Sequence, residues 1–405
     1  MNIAMLLSCG SFEGFFRGVL GQTRESYLQN YRNDWAWYYA AGLAQNGIAP
    51  TLYIPSLYEA GKYETDAGIA VRFLPLDRWY RPLENVWLKR LSRATPLSLY
   101  LEERLNTLAF MKPLVAGLAE DNIKLLYIQE YWSGRFDHIA HRVDVPVTAA
   151  DHGGLSQGVL KWFKRQSFSK AAILFCQTRS ECQIVEQYGG LAKLQPNGCD
   201  TRRFFPDPDA KRGKTILTVA RLTNKQKRTT DLIRALSLLP QEWTLDIVGI
   251  GPDLGMLRRC ADELEASSRV RFHGFLGADH VRDLLQACGV YVMPSANEAM
   301  AIAALEAMSC GAPVVLSRIR SFEHLIDDGV NGRLVPVGDV QGLASAILDA
   351  WGNRREWGAA AAETIRRHYD SCVLYKELAD LLRIAAAADA PLHSNSAASK
   401  PMPTS

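Results

Sequence analysis

The chain has 405 residues, 48% of them hydrophobic and 22% charged, the composition of a globular protein with more than one core. At about 150 residues per domain the length suggests two or three domains. Forty-six Lys+Arg against 43 Asp+Glu leave +3, too small an excess to make nucleic acid the main partner. The eight cysteines form no C-x-x-C pair, which speaks against structural zinc and for free thiols in a reducing compartment. Met1–Leu7 has no basic n-region and reads as a first strand. No stretch reaches the roughly 18 apolar residues of a membrane span.

Apolar runs at Asn2–Leu7, Thr51–Ile54, Leu125–Ile128, Val145–Ala149 and Ile173–Cys176 predict a first set of strands. Helical patterns such as Trp35–Ala44 and Gln157–Ser169 lie between them. A second set follows at Ile216–Val219, Leu245–Val248, Val270–Phe272, Val290–Met293 and Val314–Leu316. Alternation of this kind predicts an α/β protein of two Rossmann-like, doubly wound domains with an interdomain cleft. The Pro- and charge-rich segment Phe204–Gly213 divides them, so the expected domains are 1–207 and 208–370. The Ala-, Ser- and Pro-rich stretch 388–405 predicts a disordered tail.

After the first strand, Ser8–Gly18 carries Gly10, Gly14 and Gly18 at four-residue intervals, predicting a flexible loop where backbone approaches a ligand. Leu76–Leu105 sets Arg78, Trp79, Arg81, Trp87, Lys89, Arg90 and Arg93 among leucines, as either a peripheral membrane contact or a solvated helix with an aromatic core face. Gln129–Arg135 and Val147–Gly154 end apolar strands, and His152 lies at the second of these ends. His138-x-x-His141 has no carboxylate in a zinc-ligand pattern, and no metal is assigned. In the second half, Thr218–Leu222 precedes the basic turn of Lys225, Lys227 and Arg228. Gly249 and Gly251 form a strand-end turn, and Val270–Gly274 forms another.

The most informative stretch runs from Pro294 to Val315. A buried strand enters a short loop, and a helix is expected from near Glu298 to Gly311, a left-handed C-cap position. Eight residues separate Glu298 from Glu306, so a continuous helix puts both carboxylates on nearly one face. The helix N-terminus then lies at the carboxyl edge of a parallel sheet and suits a phosphate. Glu306 sits within AIAALEAMSCGAPVV, an apolar surround in which a lone carboxylate needs a partner.

This stretch resembles the E-x7-E motif of retaining GT-B glycosyltransferases, in particular family 4 (group 1). It matches the Pro, Ser, both Glu, Ala-Met, Gly and Pro-Val-Val of that pattern. It differs at Ala299, Met300 and Ala301, where the family usually has Gly, an aromatic and Gly. Further pieces occur in family order: Gln195–Asp200 with Phe204–Pro206, Arg221-Leu with the Lys225/Lys227 turn, Gly249-x-Gly251-Pro and Val270–Gly274.

The resemblance implies a nucleotide-diphosphate sugar as co-substrate, a glycan, lipid-linked or small-molecule acceptor, and neither metal nor other cofactor. It implies Glu298, His152, Arg221 and Lys227 as catalytic, with Lys225 the alternative to Lys227. Glu306, Gly251, Gly274, Ala301, Ile302, Gly10 and Gly14 are implied on the donor. It also implies a final helix (about 371–387) crossing back to the first domain, and a cytoplasmic location at or near the inner membrane face. Alternatives are a sugar-nucleotide epimerase of the same fold and a non-catalytic sugar-nucleotide-binding protein. A dinucleotide oxidoreductase is disfavoured because Leu254 takes the third glycine position of its fingerprint.

Overall fold

The computed structural model of the chain describes residues 1–32, 34–86, 95–151, 161–298 and 300–387. His152 and the expected tail 388–405 lie outside these residues, as does the first part of the helix expected from Gln157.

Two sheets form two lobes. The N-lobe sheet has eight strands in the order β3-β4-β2-β1-β5-β6-β7-β8, and the C-lobe sheet six in the order β11-β10-β9-β12-β13-β14. In the N-lobe β1 (Asn2–Leu6) pairs in parallel with both β2 (Ala49–Ser56) and β5 (Leu125–Gln129), followed by β6 (Val147–Ala150), β7 (Ile173–Cys176) and β8 (Ala192–Leu194). β3 (Gly61–Glu64) is the one antiparallel strand among the described residues; it forms an edge hairpin with β4 (Ala70–Pro75). In the C-lobe β9 (Thr215–Val219) lies between β10 (Thr244–Val248) and β12 (Val290–Met293). β11 (Val270–Gly274) closes one edge; β13 (Val314–Ser317) and β14 (Arg333–Val335) close the other.

Strand periodicity explains why both sheets are covered on each face. On β1, Ile3 and Met5 enter one core and Ala4 and Leu6 the other. On β12, Val290 and Val292 face one side while Tyr291 and Met293 face the other. Such two-sided burial produces the nearly continuous apolar runs of the sequence. Four strands do not stand out in that way: β3, β4, β8 and β14. They are short or sit at or next to sheet edges, and β3 is largely exposed.

The closing helix Ser371–Ala387 belongs to the N-lobe core. Tyr375, Leu378, Leu382 and Ala385 are buried against Trp37, Tyr39 and Leu43 of helix Trp35–Gln45. The approach is close enough that a Cβ on Gly42 would lie 2.0 Å from the Tyr375 ring. The segment between the lobes is fixed as well. Arg212 donates to the carbonyls of Leu285, Cys288 and Cys310, and Ser309 Oγ donates to Phe204 O. All eight cysteines are free thiols, four of them buried.

Two expectations are corrected. Ser8–Gly18 is not a flexible loop: Ser11 to Gly18 coils into a helical turn (Glu13–Arg17) because Phe12 and Phe16 pack with Tyr27, Tyr31 and Phe73. Glu13 ties that turn down by accepting from Ser56 Oγ (2.7 Å) and Leu57 N (2.8 Å). Nor does a helix begin near Glu298. It spans Ile302–Ser309, so Glu298 and Glu306 do not share a helical face. Tertiary hydrogen bonds take up the preceding backbone: Ala296 N donates to Gln226 O, Gln226 Nε2 to Asn297 O, and Asn197 Nδ2 to Met300 O. The helix does end as expected. Gly311 has φ +67°, and Ala312 N and Gly311 N bond back to Ala307 O and Met308 O, a Schellman closure.

Candidate functional site

In an open parallel sheet, ligands bind at the carboxyl edge where the strand order reverses. In the C-lobe that point lies between β9 and β12. The loops after these strands are Ala220–Arg228 and Pro294–Ala301, and they carry Arg221, Lys227 and Glu298. The fold brings two of these into contact: Lys227 Nζ lies 2.5 Å from Glu298 Oε1, with the Lys and Glu side chains 15% and 8% exposed. Gln226 holds both loops in register through the hydrogen bonds to Ala296 and Asn297.

Arg221 is exposed on the same loop and makes no ion pair among the described residues. Its guanidinium carbon lies 5.8 Å from the centre of the Phe15 ring, a contact that spans the two lobes. Phe15 belongs to the Glu13–Arg17 turn, so the glycine- and aromatic-rich segment faces the arginine across the cleft. Gly14 N donates to Ser11 Oγ, and Gly10 O accepts from Asn106 Nδ2. Lys225 is exposed; Lys227 is the lysine that reaches Glu298.

Gly251 does its work by what it lacks. A Cβ there would sit 2.4 Å from Leu222 O, and Leu222 N donates to Ile250 O. The glycine therefore lets the loop after β10 lie against the loop that carries Arg221 and Lys227. Asp253 extends this support, its carboxylate accepting from Asn224 N at 2.6 Å. Gly274 ends β11 at φ +68° and accepts from Gly249 N. His273 lies 3.1 Å from Asp246, which also pairs with Arg271.

Ala301 precedes the helix in extended conformation, and no side chain caps the first N–H groups after it. Ile302 and Glu306 line a cavity of about 450 Å³ where both lobes and the segment between them meet. Trp37, Tyr38, Cys199 and Arg203 share that wall; Arg221, Lys227 and Glu298 do not. Burial raises the Glu306 carboxyl to about 8, and the charge of Arg203 only partly offsets this. Six of the predicted residues thus fall into or between two groups. One is the Arg221–Lys227–Glu298 edge, the other the Ile302–Glu306 cavity, and Ala301 stands between them.

Sequence reasoning missed the residues that hold this edge in place. Asn197 is buried; it accepts from Tyr39 Oη at 3.1 Å and donates to Met300 O at 3.1 Å, joining N-lobe helix to C-lobe loop. It stands in the Asn-Gly-x-Asp run, which was the available signal. Gln226 carried no signal, since it lies inside a basic turn. On the N-lobe, Glu130 at the end of β5 has φ +67° and a carboxyl raised to about 7 by burial, then by the charges of Asp151 and Glu103. His138 is buried and lowered to about 4 by desolvation, and no metal-ligand cluster occurs among the described residues.

The family described as "Glycosyl transferases group 1" matches residues 213–353, the C-lobe. A phosphatidyl-myo-inositol mannosyltransferase of Mycolicibacterium smegmatis is 27% identical over 281 residues, 64% of this chain and 71% of that protein. A GDP-mannose-dependent alpha-(1-6)-phosphatidylinositol monomannoside mannosyltransferase of the same organism is 30% identical over 219 residues. That match covers 49% of this chain and little more than half, 56%, of the relative. Among solved structures, sucrose-phosphate synthase of Thermosynechococcus elongatus superposes with a TM-score of 0.74 at 18% identity, covering 95% of this chain and 99% of that one. The two-lobed sheet order, the loops at the C-lobe switch point and these likenesses converge: the C-lobe is similar to the group 1 glycosyltransferases, and the chain has the GT-B fold.

Proposed function

We propose that the chain transfers a sugar from a nucleotide-diphosphate sugar to a hydroxyl-bearing glycan, lipid-linked or small-molecule acceptor, with retention of anomeric configuration and without a metal. The observation that carries this reading is the Lys227–Glu298 pair at the switch point, beside an arginine that makes no ion pair among the described residues. Lys227, Arg221 and the uncapped N–H groups after Ala301 supply positive charge where a diphosphate leaves. Glu298 is released from Lys227 as phosphate takes its place, and turns to the hydroxyls of the transferring sugar. Glu306, in the adjoining cavity, takes the ribose.

The acceptor proton goes to the departing phosphate oxygen, as the bond from the sugar carbon to that oxygen breaks and the bond to the acceptor oxygen forms on the same face. Preorganised charge supplies most of the rate. Two relatives are named as mannosyltransferases, one of them GDP-mannose-dependent, so GDP-mannose is the first donor to try.

The test is a melting-point screen across nucleoside diphosphates and their sugars, followed by donor hydrolysis and transfer assays. A donor that raises the melting point, with loss of turnover in Lys227→Ala and Glu298→Ala, supports the reading. Wild-type rates in both variants would overturn it.

A further inference from the structure

Asn197 sits where N-lobe elements meet the segment between the lobes. Its backbone N donates to Gln177 Oε1 (2.8 Å) just past β7, and Tyr39 Oη of helix Trp35–Gln45 donates to its Oδ1 (3.1 Å). The next residue, Gly198, packs on the start of the closing helix so tightly that a Cβ there would lie 2.7 Å from Ser371 Cα. Asn197, Tyr39 and Gln177 are all buried. Asn197 Nδ2 then crosses to the C-lobe and donates to Met300 O (3.1 Å).

Chemistry fixes which way this amide faces. A carbonyl oxygen can only accept, so Nδ2 turns to Met300 and Oδ1 to the Tyr39 hydroxyl. Burial pushes that phenol above its ordinary value, so it keeps its proton and stays a donor. Neither a carboxylate nor an aliphatic side chain accepts on one side and donates on the other.

The consequence lies at the next peptide bond. In a trans peptide the carbonyl and the following N–H point in opposite directions. With Met300 O turned to Asn197, the Ala301 N–H is turned away from it. Among the described residues no acceptor takes that N–H, and no side chain caps the helix that follows from Ile302.

We propose that Asn197 is a positioning residue for the donor diphosphate: it sets the Met300–Ala301 peptide so that the Ala301 N–H is presented to the outer phosphate. Tyr39 anchors the amide from the N-lobe, so this N–H is aimed only while the N-lobe helix and the C-lobe loop are docked together. The role rests on the transfer reading, which puts the diphosphate beside Ala301.

Calorimetry with GDP and GMP, and with UDP and UMP, reads the role directly. A misplaced N–H at the outer phosphate weakens the diphosphate and spares the monophosphate. Asn197→Leu removes the amide without adding charge, and Tyr39→Phe/Asn197→Leu also removes the hydroxyl that the first change leaves unpaired. Both should lower the diphosphate-to-monophosphate affinity ratio about tenfold. Tyr39→Phe alone keeps the donation to Met300 O and should lower the ratio about threefold; it carries the comparison where the leucine variants fail to fold. A tie that merely joins the lobes weakens GDP and GMP alike, or neither, and that result overturns the proposal. A wild type that binds none of the four nucleotides refutes the transfer reading and takes this role with it. A wild type that prefers the diphosphate, with the ratio kept in every variant, overturns this role alone.

Discussion

The two lobes place charge at equivalent points and use it differently. In the N-lobe, the switch point beside β1 and β5 is built on Arg135 and Lys164, which are 2% and 0% exposed. Arg135 donates to Leu7 O, Cys9 O and Asn106 Oδ1; Lys164 donates to Tyr131 O and Ser133 O and pairs with Asp137 at 3.0 Å. These cations are spent on backbone carbonyls and a buried acid. At the β9/β12 point of the C-lobe, Lys227 pairs with Glu298 and Arg228 with Asp231, while Arg221 pairs with no acid among the described residues. Buried, saturated charge positions backbone, whereas partly exposed charge with a single exchangeable partner can be handed to a ligand.

The contrast can be broken most forcefully at Lys227. Lys227→Ala should reduce donor hydrolysis and transfer by about 10²-fold or more, some 3 kcal/mol of transition-state stabilisation, with little change in melting point; a steady-state assay beside a thermal scan reads both. Arg135→Met should do the reverse. Carbonyls and Asn106 left unpaired in the interior cost about 3 kcal/mol, lowering the denaturation midpoint, while nucleotide affinity measured by calorimetry stays near wild type.

A subtler probe is Glu306. Its carboxyl is raised from an ordinary 4.5 to about 8, so the folded chain holds a proton that the unfolded chain releases. Stability contributed by this group is thus full below about 4.5 and falls as pH rises toward 8. Glu306→Gln should remove that decline, giving a variant about 1–3 kcal/mol more stable than wild type at pH 8 and nearly equal at pH 5; denaturant titrations at the two pH values measure it. The smallest effect is expected of Gly251→Ala, whose Cβ would press on Leu222 O. Displacement of the Arg221–Lys227 loop should cost about tenfold in kcat/KM, with Asp253→Asn a milder version of the same loss.

Reading the sequence against the fold shows where periodicity stops being informative. β1 and β12 are legible because each is covered on both sides, so nearly every residue is apolar. β3 is not, because its residues are mostly exposed in an edge hairpin. Glu298, Lys227 and Gly251 stood out by spacing and type, but Asn197 and Gln226 act through partners up to 103 residues away.

Composition and pattern alone determined that this is an α/β chain with two successive parallel sheets and a charged loop at a strand end. Local spacing sufficed for that because helices and strands impose fixed periods on neighbouring residues. The tertiary structure decided that the helix after β12 starts at Ile302, that Lys227 meets Glu298, and that Glu306 opens onto a separate cavity. Those outcomes depend on which distant groups claim each backbone N–H and carbonyl, and no local period encodes that competition.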